Sequence, residues 1–576
     1  MKLLVPHTGN CQGPDARLVR LAEFLGISYE LLFLDREIGA FAQFMQDLSK
    51  HESSCLVVNP EVIKEWTGGA LPRDLIECLT SRFRSVLIHS LTPDPFCTEL
   101  AKALSAGRIQ SVEPIQGTAG QYEVMSDMRD VCGPFSGISF GPVNGSNDSV
   151  LHLSSQSPPM RTAISIAGQP FLTFMKTGET ELVFLAGLDT LDVNIGISDR
   201  PLSEYFSRCV PHVMALRTIF GEQCWQPSGH YANLIIDDPL LRPKYGHLDF
   251  KVLLELMEKH NFSTTIAFVP RNYRRSLPQT VQMFRQHSDR LSICFHGNDH
   301  TLGEFASTDI TRLNTAVSIA EFRMGLHTKS SSVPCVKVMV FPHEQFSEQA
   351  MRVLKACNFR AVVNSEASPQ GPDITFTLAE IAQPANLRHG GLPLYYRRKP
   401  GQIKQQDLAF ALFFGRPAFI FEHHEMFKRP EALIETVLMI NSMAPGIRWT
   451  NLAVATANTN LRRRISEDTY RVRAYSTTAQ VENNEDRSRR FIVEWNHPAG
   501  SPPVGKILRD GAIQLPFEVV DSTILVSTEI TAHSSHMYSV FYRNEYPSLR
   551  GLGLAHNIKA LVRRRLSEAR DNYAIH

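Results

Sequence analysis

From residue 231 to residue 458 the chain alternates short apolar runs with amphipathic ones, and several of the apolar runs end on a cluster of ionisable side chains. The apolar runs cover 233–236, 263–269, 291–295, 336–341, 360–364 and 417–421. The intervening stretches, 248–260, 277–287, 310–326, 348–356 and 430–443, carry helical spacing. This alternation predicts parallel strands joined by crossover helices, since a parallel pair needs a connection of a dozen or more residues. In such sheets and barrels, ligands and catalysts collect at the carboxyl ends of the strands. The ionisable clusters therefore fall where chemistry is expected.

The first run, Asn-Leu-Ile-Ile, passes directly into Asp237-Asp238-Pro239. Successive residues of a strand point to opposite faces, so the two carboxylates serve different atoms. One can hold a metal while its neighbour handles a proton; the plainer reading is a solvated loop or a cap for the following helix. The third run ends in His296-Gly297-Asn298-Asp299-His300. Imidazoles at i and i+4 share a face if the chain turns helical there, a spacing suited to a divalent metal. Gly297 permits the sharp exit from the strand. Asp238, His296 and His300 together form a three-ligand set that leaves positions open for water and substrate.

Two later runs end Phe341-Pro342-His343-Glu344 and Phe421-Glu422-His423-His424-Glu425. By period two, Phe419, Phe421 and His423 share one face and Ile420, Glu422 and His424 the other. Only one of the two histidines then reaches a strand-lined pocket directly.

This order of motifs resembles the NodB-type polysaccharide deacetylases (carbohydrate esterase family 4), over about residues 228–455 only. The resemblance implies a distorted (β/α) barrel and metal-dependent removal of acetyl groups from N-acetyl sugars. It assigns Asp237 as general base and Asp238, His296 and His300 as ligands of a divalent ion, commonly zinc. His423, with His424 as substitute, is the expected general acid, and Arg242, Tyr245, Pro342 and His343 are expected to face substrate. The chain departs from the family pattern. Ile-Ile-Asp-Asp-Pro replaces Thr-Phe-Asp-Asp-Gly, and Val-Phe-Pro-His-Glu replaces the Arg-Pro-Pro-Tyr motif whose arginine orients the base. The family's Asp-Trp motif has no clear equivalent. Arg242, Tyr245 and Arg388 are the candidates for the missing cation or donor. Two other readings stay open: cleavage of another amide or of a glycosidic bond by the same metal, and a degenerate barrel serving as a binding or assembly module.

The expected architecture is a multidomain α/β protein. Residues 1–225 read as an open-sheet, doubly wound Rossmann-like domain, 228–458 as the deacetylase-type barrel, and 468–576 as a small β-sandwich with a terminal amphipathic helix. In the first domain, runs at 2–6, 29–35, 54–59 and 85–90 alternate with amphipathic stretches at 16–25, 38–48, 75–83 and 98–104. No GxGxxG or GxxxxGK[ST] occurs there, so nucleotide binding has no support.

With 576 residues, 43% of them hydrophobic, the chain can build several cores. A net charge of +1 argues against a dedicated nucleic-acid binder. No apolar run reaches the ~18 residues of a membrane span, and the first one stops at Pro6 and His7, short of a signal peptide. Ten scattered cysteines without a CxxC pair suggest a reduced, cytoplasmic protein. The expected partner is a carbohydrate or small amide substrate, with self-association left open. Arg563, Arg564 and Arg565 could touch nucleic acid or anionic lipid; the expected reading is the solvated face of a helix docked on its own protein.

Overall fold

Seven parallel strands close into a barrel in the computed structural model, which describes residues 1–34, 54–115, 120–141, 148–154, 160–197, 202–365 and 375–573. The strands are β1 (Tyr231–Asp237), β2 (Thr264–Phe268), β3 (Leu291–His296), β4 (Cys335–Val340), β5 (Ala361–Asn364), β6 (Leu394–Arg398) and β7 (Ala418–Glu422). Each pairs in parallel with the next. β7 returns to β1, so that Leu234 lies opposite Thr264 on one side and Ile420 on the other. Every residue of β1, β2, β3, β5 and β7 is buried. Parallel strands covered on both faces need apolar residues at consecutive positions, which is why these segments read as unbroken runs.

Helices follow the strands, and three of them begin on side-chain caps. Asp249 accepts hydrogen bonds from the amides of Lys251 and Val252 at the start of Phe250–His260. Asp309 caps Ile310–Ser331, and Ser347 caps Glu348–Ala356. Each such cap contributes about 1 kcal/mol by satisfying amides that the helix itself cannot. β6 is the strand absent from the sequence reading. Its Leu-Tyr-Tyr-Arg-Arg looks polar, yet Leu394, Tyr395 and Arg397 are buried.

The chain forms two compact units: Met1–Gln226 with Thr375–Ala379 and Gln405–Phe413, and Pro227–Ile374 with Glu380–Lys404 and Phe414–His576. The first is built on a nine-stranded sheet. Tyr29–Phe33, Leu3–His7, Cys55–Val58, Ser85–Ile88 and Thr180–Leu185 run parallel to one another. Gln169–Thr177, Arg161–Ile166, Tyr122–Val124 and Ser139–Phe140 then continue the sheet by antiparallel pairing. The sheet is therefore mixed, because the segment after residue 116 extends it with hairpins and not with βαβ crossovers. The helix expected over 38–48 lies outside the described residues.

In the second unit, two further sheets follow the barrel. One runs Asn460–Ser466, Thr469–Ala474, Arg489–Asn496, Thr523–Ile530, Glu518–Val520, and the other Thr478–Asn483, Ser534–Tyr542, Val504–Arg509, Ile513–Leu515. Both contribute to one apolar cluster that includes Tyr470, Phe491, Trp495, Ile507, Tyr538 and Val540. The pairing of Thr469–Ala474 with Arg489–Asn496 is parallel, unlike the remaining ladders. A last helix spans Leu554–Tyr573.

Candidate metal and active site

The barrel gathers its chemistry at the carboxyl ends of β1, β3 and β4. Asp237 ends β1 and Asp238 follows it with φ +79°; His296 ends β3. Gly297 leaves β3 at φ +62°, where an added Cβ would sit 2.5 Å from Pro342 Cγ and 2.6 Å from Glu304 Oε2. Only glycine fits there. The expected helical turn between His296 and His300 does not form. Instead the Glu304 carboxylate accepts the amides of Asn298, Asp299 and His300 at 3.2, 2.8 and 3.1 Å, folding the loop back on itself. His300 takes φ +57° and, after β4, His343 and Glu344 take +56° and +62°. Left-handed backbone at four non-glycine residues stores strain, and strain of this kind collects at functional sites.

One donor atom from each of Asp238, His296 and His300 lies within 4.8 Å of the others. The surroundings suit a cation. His296 donates its Nδ1–H to the carbonyl of Val340 at 3.0 Å, which leaves Nε2 as the unprotonated nitrogen. Burial pushes His300 down to about 3, so its imidazole is neutral. Burial alone would raise the Asp238 carboxyl, but the electrostatic pull of its neighbours, His300 and the Arg564 guanidinium foremost, outweighs it and holds Asp238 ionised. A carboxylate and two imidazoles form a donor set that a divalent ion such as zinc accepts.

Asp237 has a partner of its own. Arg397 of β6 donates to its Oδ1 at 2.8 Å, and both side chains are within 3% of full burial. The guanidinium lies over the ring of Phe421, 4.0 Å from its centroid. Burial raises the Asp237 carboxyl, yet the charge of Arg397 beside it prevails and keeps it below the ordinary carboxylate range. Arg397 therefore supplies the cation that the sequence reading sought elsewhere. Of those candidates, Arg388 pairs with Glu380 at 3.5 Å and Arg242 with Glu568 at 3.4 Å, while Tyr245 donates to Asp571. Reading 394–398 as a strand would have exposed the signal, since period two places Tyr395 and Arg397 on one face.

The paired histidines after β7 divide. The charge of His423 helps to hold both Asp237 and Asp238 down. The buried ring of His424 instead meets Tyr245 edge-on at 5.5 Å, and its Nε2 is 3.9 Å from Asp571 Oδ1. Pro342 is buried beside Gly297, and His343 stacks edge-on against His300 at 4.7 Å while Arg563 donates to its Nε2.

The helix Leu554–Tyr573 crosses this end of the barrel. Arg564 Nη1 donates to Asp238 Oδ1 at 3.0 Å, the same oxygen that His300 Nε2 faces at 3.4 Å, and Nη2 donates to the Asp238 carbonyl. Glu568 pairs with Arg275 and Arg242, and His556 with Asp299. The sequence reading of the arginine triplet is corrected at Arg564: it is buried, not solvated, because the carboxylate of Asp238 lies beneath it.

No family model matches the chain, and no curated protein does. Among solved structures, the carbohydrate deacetylase Agd3 is similar over 94% of this chain and 98% of its own, at 9% identity and a TM-score of 0.46. A family 4 carbohydrate esterase from Streptomyces lividans, in complex with acetate, covers 38% of this chain and 90% of its own, at 11% identity and a TM-score of 0.23. A family 4 acetyl xylan esterase from Clostridium thermocellum, in complex with a cobalt ion, covers 39% and 89%, at 14% identity and a TM-score of 0.25. At such identities and TM-scores the likeness assigns no chemistry, which has to come from the side chains at the strand ends.

Proposed function

We propose that this chain is a metal-dependent hydrolase that removes acetyl groups from N-acetylated sugars. The observation that carries the reading is the convergence of Asp238, His296 and His300 beside a second carboxylate, Asp237, kept ionised by a buried arginine. A divalent ion held by those three residues supplies Lewis-acid chemistry, polarising a carbonyl and acidifying a water. Asp237, ionised and separate from the ligand set, takes the proton that attacking water gives up. His423, close enough for its charge to act on both aspartates, returns a proton to the departing amine. The sugar and the acetyl group are taken from the motif order and not from the geometry.

The test is acetate release from N-acetylglucosamine oligomers by the purified chain, with bound metal measured on the same samples. His296→Ala should lose both metal and turnover, while Asp237→Asn should keep metal and lose about 10²-fold or more in turnover. A His296→Ala protein that retains stoichiometric metal counts decisively against the reading. A second reading, a barrel kept as a binding module, is favoured by Arg564, whose guanidinium holds the oxygen a metal would use. Wild-type protein that takes up no zinc or cobalt would select it.

A further inference from the structure

The helix Leu554–Tyr573 is mounted with its polar side against the barrel. His556, Arg564, Glu568 and Asp571 all face inward onto partners. Leu554, Ile558, Leu561, Val562 and Leu566 face outward, each between 50% and 77% exposed. These positions, i, i+4, i+7, i+8 and i+12, form one continuous stripe on a 3.6-residue helix. A surface helix normally buries that stripe and exposes its charges. Here the arrangement is inverted, and contiguous apolar patches of this kind mark interaction surfaces.

The charges beside the stripe choose the partner. Lys559, Arg565 and Arg570 are exposed, whereas both carboxylates of the helix, Glu568 and Asp571, are turned inward at 12% and 6% side-chain exposure. The outward face thus combines apolar side chains with cations and, among the described residues of the helix, presents no outward carboxylate. Arg570 pairs along the helix with Asp571 at 2.8 Å and Arg565 with Glu568 at 3.7 Å, while Lys559 carries its charge beside the stripe, so a second copy docking face to face would meet like charges with no outward carboxylate to pair across the interface. An anionic lipid surface offers both acyl chains for the stripe and negative headgroups for the cations.

We propose that the outward face of this C-terminal helix docks on an anionic lipid surface. The helix lies in the plane of the headgroups, with Leu554, Ile558, Leu561, Val562 and Leu566 entering the acyl boundary. Its inner contacts to the barrel are not needed for docking and stay in place. Each headgroup-proximal cation contributes about fivefold to partitioning, and ionic strength weakens that part selectively.

The test uses the full chain in sedimentation with vesicles of phosphatidylcholine alone and of phosphatidylcholine with phosphatidylserine. Binding is expected only with phosphatidylserine and should fall as salt rises. Lys559→Gln combined with Arg565→Gln should weaken it about 25-fold. Ile558→Asp combined with Val562→Asp should abolish it, with hydrogen-exchange protection of the helix unchanged because both side chains already face solvent. Equal binding to both vesicle types, or none to either, overturns the proposal. So does a wild-type dimer that the Ile558→Asp and Val562→Asp changes convert to monomer, since a second copy would then be the occupant. Vesicle binding outcompeted by duplex DNA at equal charge would likewise reassign the face to a nucleic acid.

Discussion

Replacing Arg397 by methionine isolates what the buried pair at the base of the site contributes. Its Nη1 lies 2.8 Å from Asp237 Oδ1, and the side chains are 1% and 3% exposed. At that separation the gross attraction is roughly 6 kcal/mol for an effective dielectric of about 20, most of it offset by the desolvation of both ions. The intact pair is therefore worth little in net terms. Losing one member is another matter, because the remaining carboxylate stays buried without a counter-charge, at about 3–5 kcal/mol. Arg397→Met should destabilise by that amount in urea unfolding, whereas Arg397→Met with Asp237→Asn should recover most of it. The coupling from the four-protein cycle should be about 2 kcal/mol or more. Turnover should fall about 10²-fold in Arg397→Met, with partial rescue by Arg397→Lys. Additive single effects, or a loss under about 1 kcal/mol for Arg397→Met, would refute the reasoning.

Three further outcomes can be checked. Gly297→Ala should weaken zinc binding without unfolding the protein, because its Cβ would press on Pro342 and Glu304 and displace the loop that carries His300; isothermal titration reads this directly, and an unchanged affinity would show the loop to be compliant. Arg564→Ala should raise metal affinity about tenfold or more, measured by competition with a chelator, since it removes a cation from the ligand oxygen of Asp238; a lower affinity would make Arg564 a support for the ligand instead of a competitor. Lys355 is fully buried, bonded to the carbonyl of Gly390 and to Ser501, and burial pushes it down to about 7 from 10.5. Between those pH values the unfolded chain holds a proton that the folded chain lacks, so stability should climb with pH by up to about 1.4 kcal/mol per unit. Lys355→Met should remove that slope in urea unfolding, and identical slopes would disprove the assignment.

Much of the site was readable because strand ends concentrate ionisable residues after apolar runs. Asp237-Asp238 and the His296–His300 spacing marked residues among which the fold brings Asp238, His296 and His300 together, and period two assigned His423 and His424 to opposite faces. The conformation of the 296–300 loop was not readable. Its backbone is held by Glu304, whose carboxylate replaces the intrahelical hydrogen bonds that an i,i+4 pattern presumes. The mixed pairing of the N-terminal sheet is not legible for a similar reason: strand direction is set by connections and register, and composition carries neither.

Local pattern by itself determined which residue types stand at the carboxyl ends of the strands and which of two neighbours shares a face, because side-chain alternation is a property of the extended backbone. Only the tertiary structure decided which charges meet there. Arg397 is 160 residues from Asp237, and Arg564 is 326 from Asp238. Such pairs come into range only when barrel closure fixes strand register and the last helix is docked. Until then each arginine is indistinguishable from a solvated one, since burial, not identity, makes a guanidinium seek a particular carboxylate.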